Sequence, residues 1–266
     1  MSVKASLRYI VYQSDNPSDL ADFYRRNLGL EELGRSNQGD VSATDGFFNV
    51  TFMKRRPELH ESRNTTGLHH FGFQVDNLEE TLRRYRAIMP NMPIIREKGG
   101  LHFGDVRIFD PEGMPVSLSE KSYGVGDNPE RMPRIRHVAC NALWPEGILN
   151  FYTLLFGFRE LEASKERRKQ GRENRFCGDG STNIAIHPFY NESEGHEPFY
   201  GVNHIGFLVG DVLKSVDELS REIPVAKRPD SRPYAEYRLH DPQGNKFDLA
   251  QTKGWEVDVD KWVRAA

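Results

Sequence analysis

"FDPEGMPVSLSE" at 109–120 and "HDPQGNKFDLAQ" at 240–251 are two versions of one phrase, set 131 residues apart. Each opens with an Asp-Pro-x-Gly turn and continues into a short alternating run, the pattern of a β-hairpin. The two copies differ at one place that matters for chemistry: the strand after the turn carries Ser117 in the first and Asp248 in the second. Two more pairs match in the same order. "FYRRNLGLEEL" at 23–33 answers "FYTLLFGFREL" at 151–161, and "LHHFGFQV" at 68–75 answers "VNHIGFLV" at 202–209. Their offsets of 128 and 134 residues differ little from 131, so the halves differ only by small insertions. A repeat period near half the chain describes a duplication. The Gly-, Pro- and charge-rich "YGVGDNPERMPR" at 123–134 reads as the linker.

Each half divides again. "LRYIVYQSD" is a β-rich run, and "NPSDLADFYRRNLGL" has the Asn16-Pro17-Ser18 start and apolar spacing of a helix. "FFNVTFMK" is a later strand, "HHFGFQVDN" a strand again, "LEETLRRYRAIM" a helix, and "GDVRIFDPEGMPVSLSE" a hairpin. The second half repeats this with "RHVACNALW", "EGILNFYTLLFG", "NIAIHPF", "NHIGFLVGD", "VLKSVDELSREI" and "AEYRLHDPQGNKFDLAQ". The unit is strand, helix, then a few strands, four times over. Two-residue alternation in the strands turns one face toward a core or cavity.

Composition bounds the class. The chain has 266 residues, 37% hydrophobic and 28% charged, enough for about two globular domains. Its formal charge of −3, with Lys+Arg 36 against Asp+Glu 39, carries no basic surplus for nucleic acid and no polybasic run for a membrane surface. The start "MSVKASLRYI" lacks an apolar signal region, and no apolar run approaches the ~18 residues of a membrane span. Cys140 and Cys177 are the only cysteines, so no disulfide framework organises the fold. A cytoplasmic location is the expectation.

Taken together, "FYTLLFGF", "NHIGFLV" and "DPQGNKFDL", with their weaker copies in the first half, resemble the vicinal oxygen chelate superfamily of glyoxalases, bleomycin-resistance proteins and extradiol dioxygenases. The resemblance runs over about residues 5–252. It implies an α+β fold of four βαβββ modules paired into two cup-shaped mixed sheets, one in residues 1–122 and one in 134–266. It also implies metal-ligand positions on the first and last strand of each module. On the first strand these are Tyr9, His70, His137 and His204, and on the last Asn49, Ser117, Asn183 and Asp248. The second half thus offers His137, His204 and Asp248 to a metal, with Asn183 nearby. Two imidazoles and a carboxylate suit a divalent first-row ion with open positions, most typically Fe(II), with Mn(II) as the alternative. Asp248 is one methylene shorter than the Glu expected there. The first half has no carboxylate, and His70 is read as a core histidine or relic.

Four modules with the metal in the second pair is the layout of type I extradiol ring-cleaving dioxygenases, in which substrate and O2 meet at one ion. "RFCGDGSTNIAI" at 175–186 resembles their strand region before the last module. The chain departs from them at Thr182, near Pro229 and at Arg238, where they carry two histidines and a tyrosine. Arg238 points into the cup by alternation with Tyr234, Glu236 and His240, and an arginine there favours an anionic substrate. A salt bridge to Glu236 or a neighbour at the rim is the structural alternative. His187 shares the inward face with Asn183 and is the candidate acid/base, with Tyr234 as a further catalytic candidate. The expectation is therefore a metal-dependent dioxygenase acting on a small catechol-like or related chelating anion. The alternatives are a glyoxalase-like lyase or isomerase working through an enediolate and a metal-free small-molecule binder of the bleomycin-resistance type. A homo-oligomer is expected, with a small-molecule substrate and O2 as partners. The tail 253–266, with two tryptophans, closes the cup or packs on a partner chain.

Overall fold

The computed structural model describes residues 4–56, 65–96, 104–123, 125–126, 131–189, 201–230 and 235–251. They form sixteen strands and five helices in four successive modules. The first is β1 (Ala5–Ser14), α1 (Pro17–Leu28), β2 (Glu31–Arg35), β3 (Val41–Thr44) and β4 (Asn49–Lys54). The second is β5 (Gly67–Val75), α2 (Leu78–Ile88), β6 (Ile95–Arg96), β7 (Val106–Phe109) and β8 (Pro115–Ser119). The third is β9 (Arg134–Ala142), α3 (Pro145–Phe156), β10 (Arg159–Glu160), α4 (Glu162–Lys169), β11 (Arg175–Gly178) and β12 (Asn183–Pro188). The fourth is β13 (Gly201–Leu208), α5 (Val212–Leu219), β14 (Val225–Lys227), β15 (Tyr237–His240) and β16 (Lys246–Ala250). This is the α+β, four-module architecture expected, with α4 as an addition. Among the described residues no helix is long and apolar enough to cross a membrane.

The strands make two eight-stranded sheets of the same order, β2-β3-β4-β1-β5-β8-β7-β6 and β10-β11-β12-β9-β13-β16-β15-β14. In each, the first strands of two modules pair antiparallel at the centre, β1 with β5 and β9 with β13. Each first strand also pairs parallel with the last strand of its own module, as β9 does with β12 and β13 with β16. The centre of each sheet is therefore built from the four strands that carry the candidate ligand positions.

The duplicated turn has a common device. Asp110 Oδ1 accepts from the backbone N–H of Glu112 and Met114, and Asp241 Oδ1 from those of Gln243 and Asn245. Gly113 and Gly244 take φ of 82° and 84°, the left-handed conformation that glycine adopts without steric cost. The carboxylate closes the turn and the glycine lets the chain re-enter the sheet.

The halves are knitted together. Asp179 Oδ2 accepts from the Leu7 N–H at 2.8 Å, and Asp45 Oδ2 from the Ile135 N–H at 2.8 Å, a reciprocal clasp between the two sheets. The aromatic layer crosses between them as well. Phe156 of α3 stacks on Phe73 of β5 with centroids 4.0 Å apart, and Tyr24 of α1 lies against Phe207 of β13 at 6.2 Å. One continuous buried cluster thus includes residues of both halves.

Candidate active site

Strand alternation sorts the second sheet into two faces. Val138 and Cys140 of β9, Ile184 and Ile186 of β12, Ile205 and Phe207 of β13, and Phe247 and Leu249 of β16 enter the main core. The opposite parity leaves His137, Asn183, His187, His204 and Asp248 on the other face, with Arg238 of β15 directly across from Asp248. Cross-strand register does the rest: His137 pairs with Asn183, and Gly206 with Asp248, so His204 sits two residues back on the same side.

Both imidazoles are oriented by carboxamides. His137 Nδ1 lies 2.5 Å from Asn183 Oδ1, and His204 Nδ1 lies 2.7 Å from Asn203 Oδ1. An amide oxygen only accepts, so each Nδ1 carries the proton and each Nε2 presents a lone pair. The rings are 5.3 Å apart. Burial pushes the His137 imidazole down to about 3, with the Asn183 contact offsetting only part of that. Burial, then the Arg238 charge, lowers His204 as well. Both are neutral at neutral pH, the form in which imidazole ligates a metal.

His187 is the third ring of the group, 6.4 Å from His204 and nearly parallel to it. Its Nδ1 is 2.7 Å from Asn174 Nδ2. The amide nitrogen donates, so the proton of His187 stands on Nε2.

Asp248 is buried and carries a heavy load. Arg238 Nε donates to Oδ1 at 2.8 Å and Arg238 Nη2 to Oδ2 at 3.0 Å, a two-toothed fork. Arg228 Nη1 adds a contact to Oδ2 at 3.4 Å. The same Arg238 Nη2 reaches His204 Nε2 at 3.1 Å, and His204 Nε2 is 3.5 Å from Asp248 Oδ2. The guanidinium therefore already touches two of the three candidate ligand residues.

This bears on whether a metal ion fits. The donor chemistry is that of a cation site: two neutral imidazoles with Nε2 presented, one carboxylate, and an organic cation standing in on two of them. The three do not close into a ligating cluster among the described residues. Unit charges ~4 Å apart interact by about 4 kcal/mol at an effective dielectric of ~20, and twice that for a divalent ion. A metal thus fits the donors only with the Arg238 guanidinium moved off Asp248.

Asn183, beside the candidate ligands, directs its oxygen to His137 and orients that ring. Arg238 makes an ion pair with Asp248, because β15 and β16 pair in the register that sets 238 opposite 248. Asn174 and Asn203 are not marked by any sequence motif, although Asn203 adjoins His204 where the first half has His69 before His70. Thr182 lies at the turn into β12, its N–H bonded to Asp179. Tyr234 and the tail 253–266 lie outside the described residues.

Among the described residues, the equivalent positions in the first half are joined by neutral side chains. His70 Nε2 lies 2.7 Å from Ser117 Oγ and its Nδ1 2.6 Å from His69 Nδ1, all three side chains being buried. Tyr9 donates to the Lys121 carbonyl.

Solved structures share this architecture. The 2,3-dioxygenase LapB from Pseudomonas sp. KL28 superposes with a TM-score of 0.70 at 20% identity, over 94% of this chain and 94% of that one. The Mn(II)-bound glyoxalase from Novosphingobium aromaticivorans gives 0.71 at 17%, over 98% and 86%. Homoprotocatechuate 2,3-dioxygenase from Arthrobacter globiformis gives 0.65 at 14%, over 94% and 80%. At these identities the likeness is one of fold. No curated protein matches the chain in sequence at a significant level. The Glyoxalase/Bleomycin resistance protein/Dioxygenase superfamily, however, matches it twice, over residues 6–118 and 134–249, once per half, and the chain belongs to that superfamily.

Proposed function

We propose that the protein is a metal-dependent enzyme of this superfamily in which His137, His204 and Asp248 hold one divalent ion, Fe(II) or Mn(II), and that it carries out an oxygenase reaction of the extradiol type on a small chelating anion. The observation that carries the reading is that two imidazoles, each held through Nδ1 by a carboxamide, lie on one face of the second sheet with the buried Asp248. The layout of four modules with the candidate ligand set in the second pair supports the reaction class, on a fold shared with a 2,3-dioxygenase and with a glyoxalase. A divalent ion so held supplies Lewis acidity and open positions for substrate oxygens.

The chain's own residues supply the remainder. Asn183 and Asn203 fix the ring orientations. Arg238, once off Asp248, offers a planar pair of N–H donors to an anionic group of the substrate. His187, with its proton on Nε2, serves as the proton carrier. The test is oxygen uptake by the Fe(II)-loaded protein with a panel of catechols, hydroquinones and 2-oxo acids. Uptake that depends on Fe(II) or Mn(II) supports the reading. Turnover that proceeds equally well without oxygen, or with Zn(II) or Ni(II), assigns the protein instead to the lyase or isomerase chemistry of a glyoxalase.

A further inference from the structure

We propose that Arg238 is a displaceable internal cation: its guanidinium holds the metal position closed in the metal-free protein and is released toward the cup when a divalent ion binds. The inference rests on the metal reading above and adds to it a competition and an order of binding.

Three contacts define the plug. Arg238 meets Asp248 Oδ1 at 2.8 Å, Asp248 Oδ2 at 3.0 Å and His204 Nε2 at 3.1 Å. These are the atoms through which Asp248 and His204 would ligate an ion, so ion and guanidinium exclude each other. Charge points the same way. One carboxylate faces two arginines, Arg228 being 3.4 Å from Oδ2, so its charge is compensated before any metal arrives. A buried carboxylate without such compensation is costly, which gives the metal-free cup a reason to keep the plug. The plug has somewhere to go: its side chain is 16% exposed against 4% for Asp248. The first half supplies an internal control. Arg107 stands opposite Ser117 as Arg238 stands opposite Asp248, but with a hydroxyl in place of the carboxylate. Release of Arg238 would create a site for an anion only after the ion is in place, so an anionic ligand would follow the metal.

The experiment titrates Mn(II) into chelator-treated wild-type protein, Arg238→Met and Arg107→Met, reading free Mn(II) by electron paramagnetic resonance. Arg238→Met is expected to bind about 10–100-fold more tightly than wild type, the scale of the charged hydrogen bonds the ion otherwise has to break. Arg107→Met should match wild type. A second readout uses the unmutated protein. Arginine modification by phenylglyoxal, mapped by peptide mass spectrometry, should spare Arg238 in chelator and label it once Mn(II) is bound. Suppose instead that Arg238→Met binds no more tightly, that labelling does not respond to Mn(II), and that His204→Ala and Asp248→Asn still abolish binding. The displaceable plug is then wrong and the metal site stands. Absence of Mn(II) binding in both wild type and Arg238→Met overturns plug and metal site together.

Discussion

The carboxamide oxygen of Asn183 accepts from His137, and that of Asn203 from His204, so neither ring is free to turn its protonated nitrogen inward. Orienting groups of this kind tune metal affinity by about 10–100-fold. Asn183→Leu is therefore expected to weaken divalent-ion binding by that factor without changing far-UV circular dichroism, as read by competition with a chromogenic chelator. His70→Ala should leave metal stoichiometry as it is, because its ring is engaged with Ser117 and His69 in the other half. Burial has a second consequence. His137 titrates at about 3 in the fold, against roughly 6.5 in an unfolded chain. The sign follows from proton counting. Above the unfolded value neither state binds the proton and stability is unaffected. Below it only the unfolded chain binds, so stability falls as pH drops from ~6.5 toward ~3, by up to about 1.4 kcal/mol per pH unit. Urea unfolding in chelator at several pH values should show His137→Gln losing stability less steeply than wild type. Parallel slopes would contradict the neutral buried ring.

At the scale of elements, the Asp-Pro-x-Gly turn does the same local work in both halves, and the second copy does more. Asp241 also accepts from Asn245 Nδ2 and, across the domain boundary, from Tyr24 Oη of α1. Asp241→Ala therefore strips four hydrogen bonds from one buried carboxyl. A loss on the order of 2–4 kcal/mol is expected, more than for Asp110→Ala, and is measurable by chemical denaturation. Equal losses would mean that the tie to Tyr24 contributes nothing. The module order was legible in the sequence because such turns and two-residue alternation are local patterns, and the duplication displays them twice. Helix α4 was not: "EASKERRK" buries only Ser164, so no apolar stripe announces it. The Arg238–Asp248 fork was legible only in half. The sequence shows an arginine three residues before each Asp-Pro, at 107 and 238. That Arg238 lies opposite Asp248 depends on the register of two strands joined by the turn, and a one-residue slip would have sent it to the other face.

At the scale of the molecule, the question is whether the halves, similar as they are, behave as two proteins or one. Repeats of this size often unfold separately, since two-state behaviour is the rule only for single domains under ~150 residues. Here the apolar faces of both sheets feed one cluster. Phe73 of the first half stands at its seam, stacked on Phe156 at 4.0 Å and edge-on to Phe158 at 5.3 Å, both from the second half. The reciprocal Asp45 and Asp179 clasp adds polar ties whose loss would leave buried groups unsatisfied. Opening either half would thus expose apolar surface of the other and break its hydrogen bonds, which makes partial unfolding costly. Phe73→Ala, a large-to-small change in a packed core, should cost about 3–5 kcal/mol. Native-state hydrogen exchange should then show protection falling together in the central strands β1 and β5 and in β9 and β13, with a single denaturation transition. If exchange quickens in the first sheet alone while β9 and β13 keep their wild-type protection, the halves are energetically separate, and the shared aromatic layer is only contact.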